Sequence, residues 1–142
     1  MPESHIKVLT RNDTGETGGH QGGIAVPKTR SELISFFPKL DIKDFNPEAW
    51  IYCTDQDGET WKFRYVYYNG KLFKPQKSTR NEYRITHMTR LFSKWDAKEG
   101  DSIVFTSTPK NGDYKIEILK TKDTENNTKN EAIVLKGWSH VF

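Results

Sequence analysis

Three charged side chains at alternate positions, Arg80, Glu82 and Arg84, have the types and spacing to do recognition chemistry. An extended chain turns alternate side chains to one face, so a strand over Arg80–Thr86 aligns Arg80, Glu82, Arg84 and Thr86. Asn81, Tyr83 and Ile85 then take the opposite face. Guanidinium groups donate in pairs to O6 and N7 of guanine, and a carboxylate accepts from the N4 amine of cytosine. Residues on one strand face repeat every ~6.6 Å against a base-pair rise of ~3.4 Å, so a tilted strand reaches several pairs. The same triplet also fits a solvated ion-pair ladder worth a few tenths of a kcal/mol per pair. On its own it leaves both readings open.

Its surroundings are cationic. Between Lys71 and Lys94 lie Lys71, Lys74, Lys77, Arg80, Arg84, Arg90 and Lys94, with Glu82 the only acid, whereas positions 41–59 lean acidic. The formal net charge is only +3, with a pI near 8.9, so the asymmetry matters more than the total. It suits a domain with one side turned to an anion. Lys71, Lys74 and Lys77, in a loop, are point charges suited to phosphates, and Asn81, Tyr83, Arg90 and Lys94 extend this backbone or groove set. A second segment, Arg11–Gly23, is rich in Gly, Thr and Asn and contains five glycines. It cannot be core. Either it is a surface loop, or it is a clamp that sets Arg11, Asn12, His20 and Gln21 against a partner. No Gly-Lys-Ser/Thr follows, which argues against a phosphate-binding loop of the nucleotide-hydrolase kind.

The elements that must position these residues are mostly strands. A chain of 142 residues fits one domain with a real core. An aromatic share of 13% beside a mean hydropathy of −0.81 points to a compact β-rich body with a polar surface. The spacing predicts strands over His5–Thr10, Gly23–Pro27, Ala49–Thr54, Thr60–Tyr68, Arg80–Thr86, Ser102–Thr106, Tyr114–Leu119 and Ala132–Leu135, with Pro27 marking an edge. Thr60–Tyr68 is the clearest, with Trp61, Phe63, Tyr65 and Tyr67 on a core side and Lys62 and Arg64 opposite. Turns fall at Asp57-Gly58, Asn69-Gly70 and Asn111-Gly112-Asp113, and a polar loop at Thr121–Glu131. Thr29 and Glu32 have capping-box spacing ahead of a helix with Leu33, Ile34 and Phe37 on one face, ended by Pro38. Met88, Leu91, Phe92 and Trp95 give a second short helix. The expected fold is mainly β, an open pseudobarrel of about seven strands, the short Gly23–Pro27 edge segment being marginal, with two short helices. The single Cys53 sits in an apolar run and reads as a buried thiol, which excludes an internal disulfide. The histidines, His5, His20, His87 and His140, show no metal-ligand spacing. No apolar run approaches the ~20 residues of a membrane span. A soluble protein of a reducing cytoplasm is expected.

TGGHQGGIAVP (Thr17–Pro27), YYN (Tyr67–Asn69) and TRNEYRIT (Thr79–Thr86) together resemble the N-terminal effector-binding domain of EcoRII-type restriction endonucleases. RLFSKW and KEGDSIVF are similar to the helix, Gly-Asp turn and strand of the plant B-three domains, which share that pseudobarrel. The resemblance covers most of the chain. It implies a sequence-specific duplex-DNA-binding domain spanning residues 1–142, with an N-arm over about 11–27 and a C-arm over about 71–94. By the same resemblance the two arms are expected to grip a short, nearly palindromic CCWGG-like site in the major groove. His20 takes the place of the N-arm histidine, and Lys71, Arg80, Glu82 and Arg84 those of charged cleft residues. Two positions depart from the family: Ala25 stands for a tyrosine and Tyr83 for a lysine, and the segment Phe73–Ser78 is longer. The resemblance further implies a bacterial setting, a monomer on DNA, no cofactor for this domain, and a Mg²⁺-dependent nuclease only in a separate region beyond Phe142.

Other functions leave weaker traces. Asp41-Ile42-Lys43 and Asp96-Ala97-Lys98 have the carboxylate-x-lysine form of nuclease metal sites, but both fall in loops or helix ends, so catalysis by this chain is not expected. A single-strand or RNA binder would use Trp61, Tyr65, Tyr67 and Tyr68 as a stacking face. A basic barrel docking an acidic protein is the third reading.

Overall fold

The computed structural model describes residues 2–15, 22–121 and 137–141. Twelve elements follow one another: β1 (Ser4–Val8), α1 (Arg11–Thr14), β2 (Ile24–Val26), α2 (Ser31–Phe36), β3 (Glu48–Thr54), β4 (Thr60–Tyr68), α3 (Gly70–Phe73), β5 (Glu82–Thr86), α4 (Thr89–Lys94), β6 (Ser102–Ser107), β7 (Asp113–Leu119) and β8 (Trp138–Val141). The strands form one curled eight-stranded sheet in the order β2-β5-β4-β3-β7-β6-β1-β8. All pairings are antiparallel except β3 with β7. The sheet's two edges approach each other: the Trp138 indole on β8 donates to the Ala25 carbonyl of β2 at 2.8 Å. The seam of the pseudobarrel is closed by a side chain rather than by a ladder.

Alternation explains the core. Phe63, Tyr65 and Tyr67 of β4, Ile51 and Cys53 of β3, Ile85 of β5 and Ile103 and Phe105 of β6 point inward and are buried. Leu33 from α2 and Leu91 and Phe92 from α4 join the same core. Phe37, just past α2, gathers Tyr65, Phe105, Tyr114 and Trp138 at ring distances of 5.1–6.1 Å. Burial pushes the Cys53 thiol far above its ordinary pKa, with Asp113 adding to the effect, which leaves it an inert core group.

Several expectations change. The described residues contain eight strands rather than seven, and four short helices rather than two. β8 lies beyond the strand expected at 132–135, which falls outside the described residues together with most of the 121–131 loop. The strand predicted to begin at Arg80 begins at Glu82, because β4 ends at Tyr68, opposite Glu82, and leaves Arg80 and Asn81 without a ladder partner on β4. The turn expected at Asn69-Gly70 opens the single-turn helix α3. The Thr29–Glu32 capping box does not form. α2 starts at Ser31, and Glu32 instead accepts from the Arg30 guanidinium at 2.5 Å. The capping box lies elsewhere, at Thr10 and Asp13 around α1.

Candidate nucleic-acid interface

β5 is the second strand from an edge, and its register puts the alternate residues Glu82, Arg84 and Thr86 opposite Tyr68, Val66 and Arg64 of β4. Arg84 also faces Ala25 of β2. Cross-strand partners share a face, so these side chains lie on the outer surface of the sheet, with buried Val66 beneath them. There they line an open cleft of about 660 Å³ together with Asn12, Gly22, Gly23, Arg80 and His87. The Arg80 guanidinium lies over the Tyr68 ring, 3.6 Å from its centroid, and donates to Glu82 at 3.1 Å. Arg84 approaches the other oxygen of Glu82 at 3.9 Å. Arg80 is the outer guanidinium, with 48% of its side chain exposed, and Arg84 the inner, with 17%. Stacking occupies the face of a guanidinium and leaves its in-plane N–H groups available for bidentate bonds. Three guanidiniums, of Arg64, Arg80 and Arg84, two of them around one carboxylate, thus fan out along the same cleft.

The N-terminal side of the cleft is fixed by local bonds. Thr10 and Asp13 cap α1 reciprocally, and the buried pair Lys7–Asp13 at 2.9 Å anchors it to β1. Asn12 therefore projects from a fixed turn into the cleft, while Arg11 beside it is exposed. Gly22 and Gly23 press the returning segment onto β5 and α4. A Cβ on Gly23 would meet the Ile85 carbonyl at 2.7 Å, and one on Gly22 the Phe92 ring at 2.9 Å. These two glycines serve close packing. His20 and Gln21 lie outside the described residues.

The remaining expected residues divide. Lys71, Lys74 and Lys77 are exposed on α3 and the turn after it, where the Lys71 amide donates to the Arg80 carbonyl at 2.9 Å. That bond sets the lysine-bearing loop beside the guanidinium fan. Lys71 and Asn81 line a shallow recess with Arg80 and Glu82, and Asn81 accepts from the Tyr67 hydroxyl. Arg90 is exposed on α4. Two residues leave the set. Tyr83 points to the opposite face, stacked on Tyr67 at 4.4 Å between ring centroids. Lys94 reaches away, into an acidic cage: it donates to Asp55 at 2.8 Å and lies 3.0 Å from Glu59 and 3.4 Å from Asp57. Asp55, its side chain closed to solvent, also accepts from the Trp61 and Trp95 indoles at 3.0 and 3.1 Å and from the amides of Asp57 and Glu59. Burial alone would raise the Asp55 pKa, but bonds from Lys94 and the two indoles hold it far below the carboxylate range. Lys94 is a structural cation, and its own pKa is raised, chiefly by the bond to Asp55.

Three residues of the cleft, Arg64, Tyr68 and His87, are not among the expected duplex-DNA contacts, Tyr68 being named only for a single-strand stacking face. Arg64, tied to Glu48 at 2.5 Å and to the Tyr68 hydroxyl at 3.2 Å, forms its far wall with Tyr68. His87 has a left-handed backbone, φ +69, uncommon outside glycine and costly by roughly 1–3 kcal/mol. Thr86 Oγ1 contacts its Nδ1 at 2.8 Å, and Trp50 meets its ring edge-on at 5.3 Å, so the imidazole is held beside the cleft. Only the β4–β5 register reveals Arg64 and Tyr68. His87 carried no sequence signal beyond its type. The stacking face imagined for single strands does not exist as a surface: Tyr65 and Tyr67 are buried, and Trp61 is bonded to Asp55. The carboxylate-x-lysine triplets stay apart from the cleft, and Asp96 and Lys98 pair with each other at 3.1 Å.

A curled, mainly β sheet with a few short helices is the fold of the B-three-like pseudobarrels. The N-terminal domain of Helicobacter pylori LlaJI.R1 superposes with a TM-score of 0.60 at 17% identity, over 100% of this chain and 98% of that one. The protein of the Arabidopsis FUS3-DNA complex does so at 0.59 and 20% identity, over 81% and 94%. Residues 3–134 match the family model for the N-terminal region of restriction endonuclease EcoRII, and the chain belongs to that family. It is 38% identical over 85 residues, or 58% of its length, to the type II restriction enzyme EcoRII of Escherichia coli. It is also 31% identical over 121 residues, or 85% of its length, to auxin response factor 10 of Arabidopsis thaliana. The aligned regions span 20% and 15% of those two relatives.

Proposed function

We propose that the chain is the duplex-DNA recognition domain of a restriction endonuclease and reads a short, G·C-containing, nearly palindromic site of the CCWGG type through the major groove. The observation that carries this reading is Glu82 held between Arg80 and Arg84 on an open cleft. Guanine edges take the guanidiniums and a cytosine amine takes the carboxylate. A purely electrostatic binder gains nothing from an acid at the centre of its basic surface, whereas a reader does. Arg80, Glu82 and Arg84 carry the base contacts of the C-arm. His20, by family position, and Gln21, beside it on the glycine-rich arm, supply those of the N-arm. Lys71, Lys74, Lys77, Arg11, Asn12, Asn81 and Arg90 hold the phosphates or groove walls, and Arg64 and His87 border the same cleft. Cleavage belongs to a different domain of such an enzyme, and this domain sits on DNA as a monomer.

The test is fluorescence anisotropy with one sequence presented as duplex DNA, single-stranded DNA and RNA. Duplex DNA is expected to bind tightest, and Arg84→Ala to weaken it by roughly 1–3 kcal/mol on a cognate site. Equal affinity for all three, or an Arg84→Ala variant indistinguishable from wild type, would overturn the assignment.

A further inference from the structure

On the side of the sheet formed by β1 and β8, three side chains converge that the DNA cleft does not use. Glu3 and His5 are two residues apart, so an extended chain puts them on one face. The antiparallel register sets His5 of β1 directly opposite His140 of β8, and their rings lie 5.0 Å apart. His5 Nε2 meets Glu3 Oε2 at 2.6 Å. One donor atom from each of the three residues falls within 4.8 Å of the others. His5 is fully buried and its Nδ1 has no hydrogen-bond partner, while Glu3 and His140 reach solvent.

We propose that Glu3, His5 and His140 form a divalent transition-metal site of the Zn²⁺ class that fastens β8 to β1. Two imidazoles and one carboxylate match the donor preference of zinc, with the fourth position left to water. With Zn–N and Zn–O bonds of about 2.0–2.2 Å, donors around a tetrahedral ion sit ~3.3 Å apart. The Glu3–His5 contact must open slightly and the widest separation close, and the solvent-exposed Glu3 and His140 side chains can rotate to do both. His5 is already fixed by burial and by the edge of Phe36 at 4.6 Å, so little ordering remains for the ion to impose. β8 gains most from a clip. Among the described residues it is an edge strand with one ladder partner, and it carries the Trp138 contact that closes the barrel seam.

The site is tested on the untagged 142-residue chain after stripping with a chelator. Zn²⁺ is titrated calorimetrically, Co²⁺ is followed by visible absorption, and melting is recorded with and without Zn²⁺, for wild type and for His140→Ala and Glu3→Gln. Both substitutions are near the surface and leave the core intact. The expected result is one Zn²⁺ per chain, an intense tetrahedral Co²⁺ spectrum and a higher Tm with zinc. Each variant should bind at least roughly tenfold more weakly and lose the Tm rise. Absence of saturable binding, a weak octahedral Co²⁺ spectrum, or variants that bind as well as wild type would overturn the proposal; the last outcome would mean adventitious binding elsewhere.

Discussion

Replacing Glu82 by alanine separates a reader from a charged surface, because the two roles give opposite signs. Its carboxylate is 38% exposed and contacts Arg80 at 3.1 Å and Arg84 at 3.9 Å. Exposed pairs of this kind contribute about 0.2–1 kcal/mol, so Glu82→Ala should fold normally and melt within a few degrees of wild type. On DNA the loss of one acceptor from a cytosine amine costs roughly 1–3 kcal/mol, or about 5- to 150-fold in Kd. Random DNA should respond the other way, since a negative charge near phosphates has gone and two guanidiniums are released. Anisotropy titrations against a selected duplex and a scrambled duplex of equal composition, at two salt concentrations, give both numbers. The expected outcome is a cognate-to-random ratio that falls at least fivefold while random binding stays equal or tightens. A ratio unchanged by Glu82→Ala would show that the Arg–Glu–Arg face is a structural ladder and that the readout reasoning is wrong.

Phe63→Ala, which empties a fully buried position on β4, should cost about 3–5 kcal/mol in denaturant unfolding. Removing Lys71, Lys74 or Lys77 should weaken cognate and random duplexes alike and lower the slope of log K against log salt by about 1 each, read from anisotropy across a salt series. Asp55→Ala should destabilise by about 3–5 kcal/mol, because it orphans two indoles and two amides and leaves Lys94 with weaker partners. The depressed Asp55 pKa fixes the sign of the acid response. The folded carboxyl holds its proton less tightly than the unfolded one, so its stabilisation is complete above the unfolded value of ~3.9 and declines as pH falls below it. Acid unfolding monitored by Trp fluorescence should therefore occur at higher pH in a variant lacking Lys94 than in wild type.

Much of the body was legible because its strands alternate cleanly. Thr60–Tyr68 has the bounds its aromatic row gives, and Pro27 marks a true edge. Single-turn helices escaped, since four residues such as Arg11–Thr14 and Gly70–Phe73 carry no hydrophobic period. The Thr10–Asp13 capping spacing was the available signal for the first. In the cleft, alternation was enough to align Glu82 and Arg84, but the facing residues Arg64 and Tyr68 depend on the β4–β5 register, which the sequence of either strand alone does not contain. Lys94 shows the limit of counting charges. Its cationic neighbours in sequence suggested a phosphate contact, whereas its spatial neighbours are Asp55, Asp57 and Glu59 from the β3–β4 turn.

Selection of bound duplexes from a random-sequence pool tests the central claim most directly. A domain that reads bases through Arg80, Glu82 and Arg84 should enrich one short, nearly palindromic site containing G·C pairs, and the same selection with Arg84→Ala should lose preference at defined positions of that site. Steeply salt-dependent binding with no enriched sequence would contradict it, and would leave the cleft a general anion-binding surface.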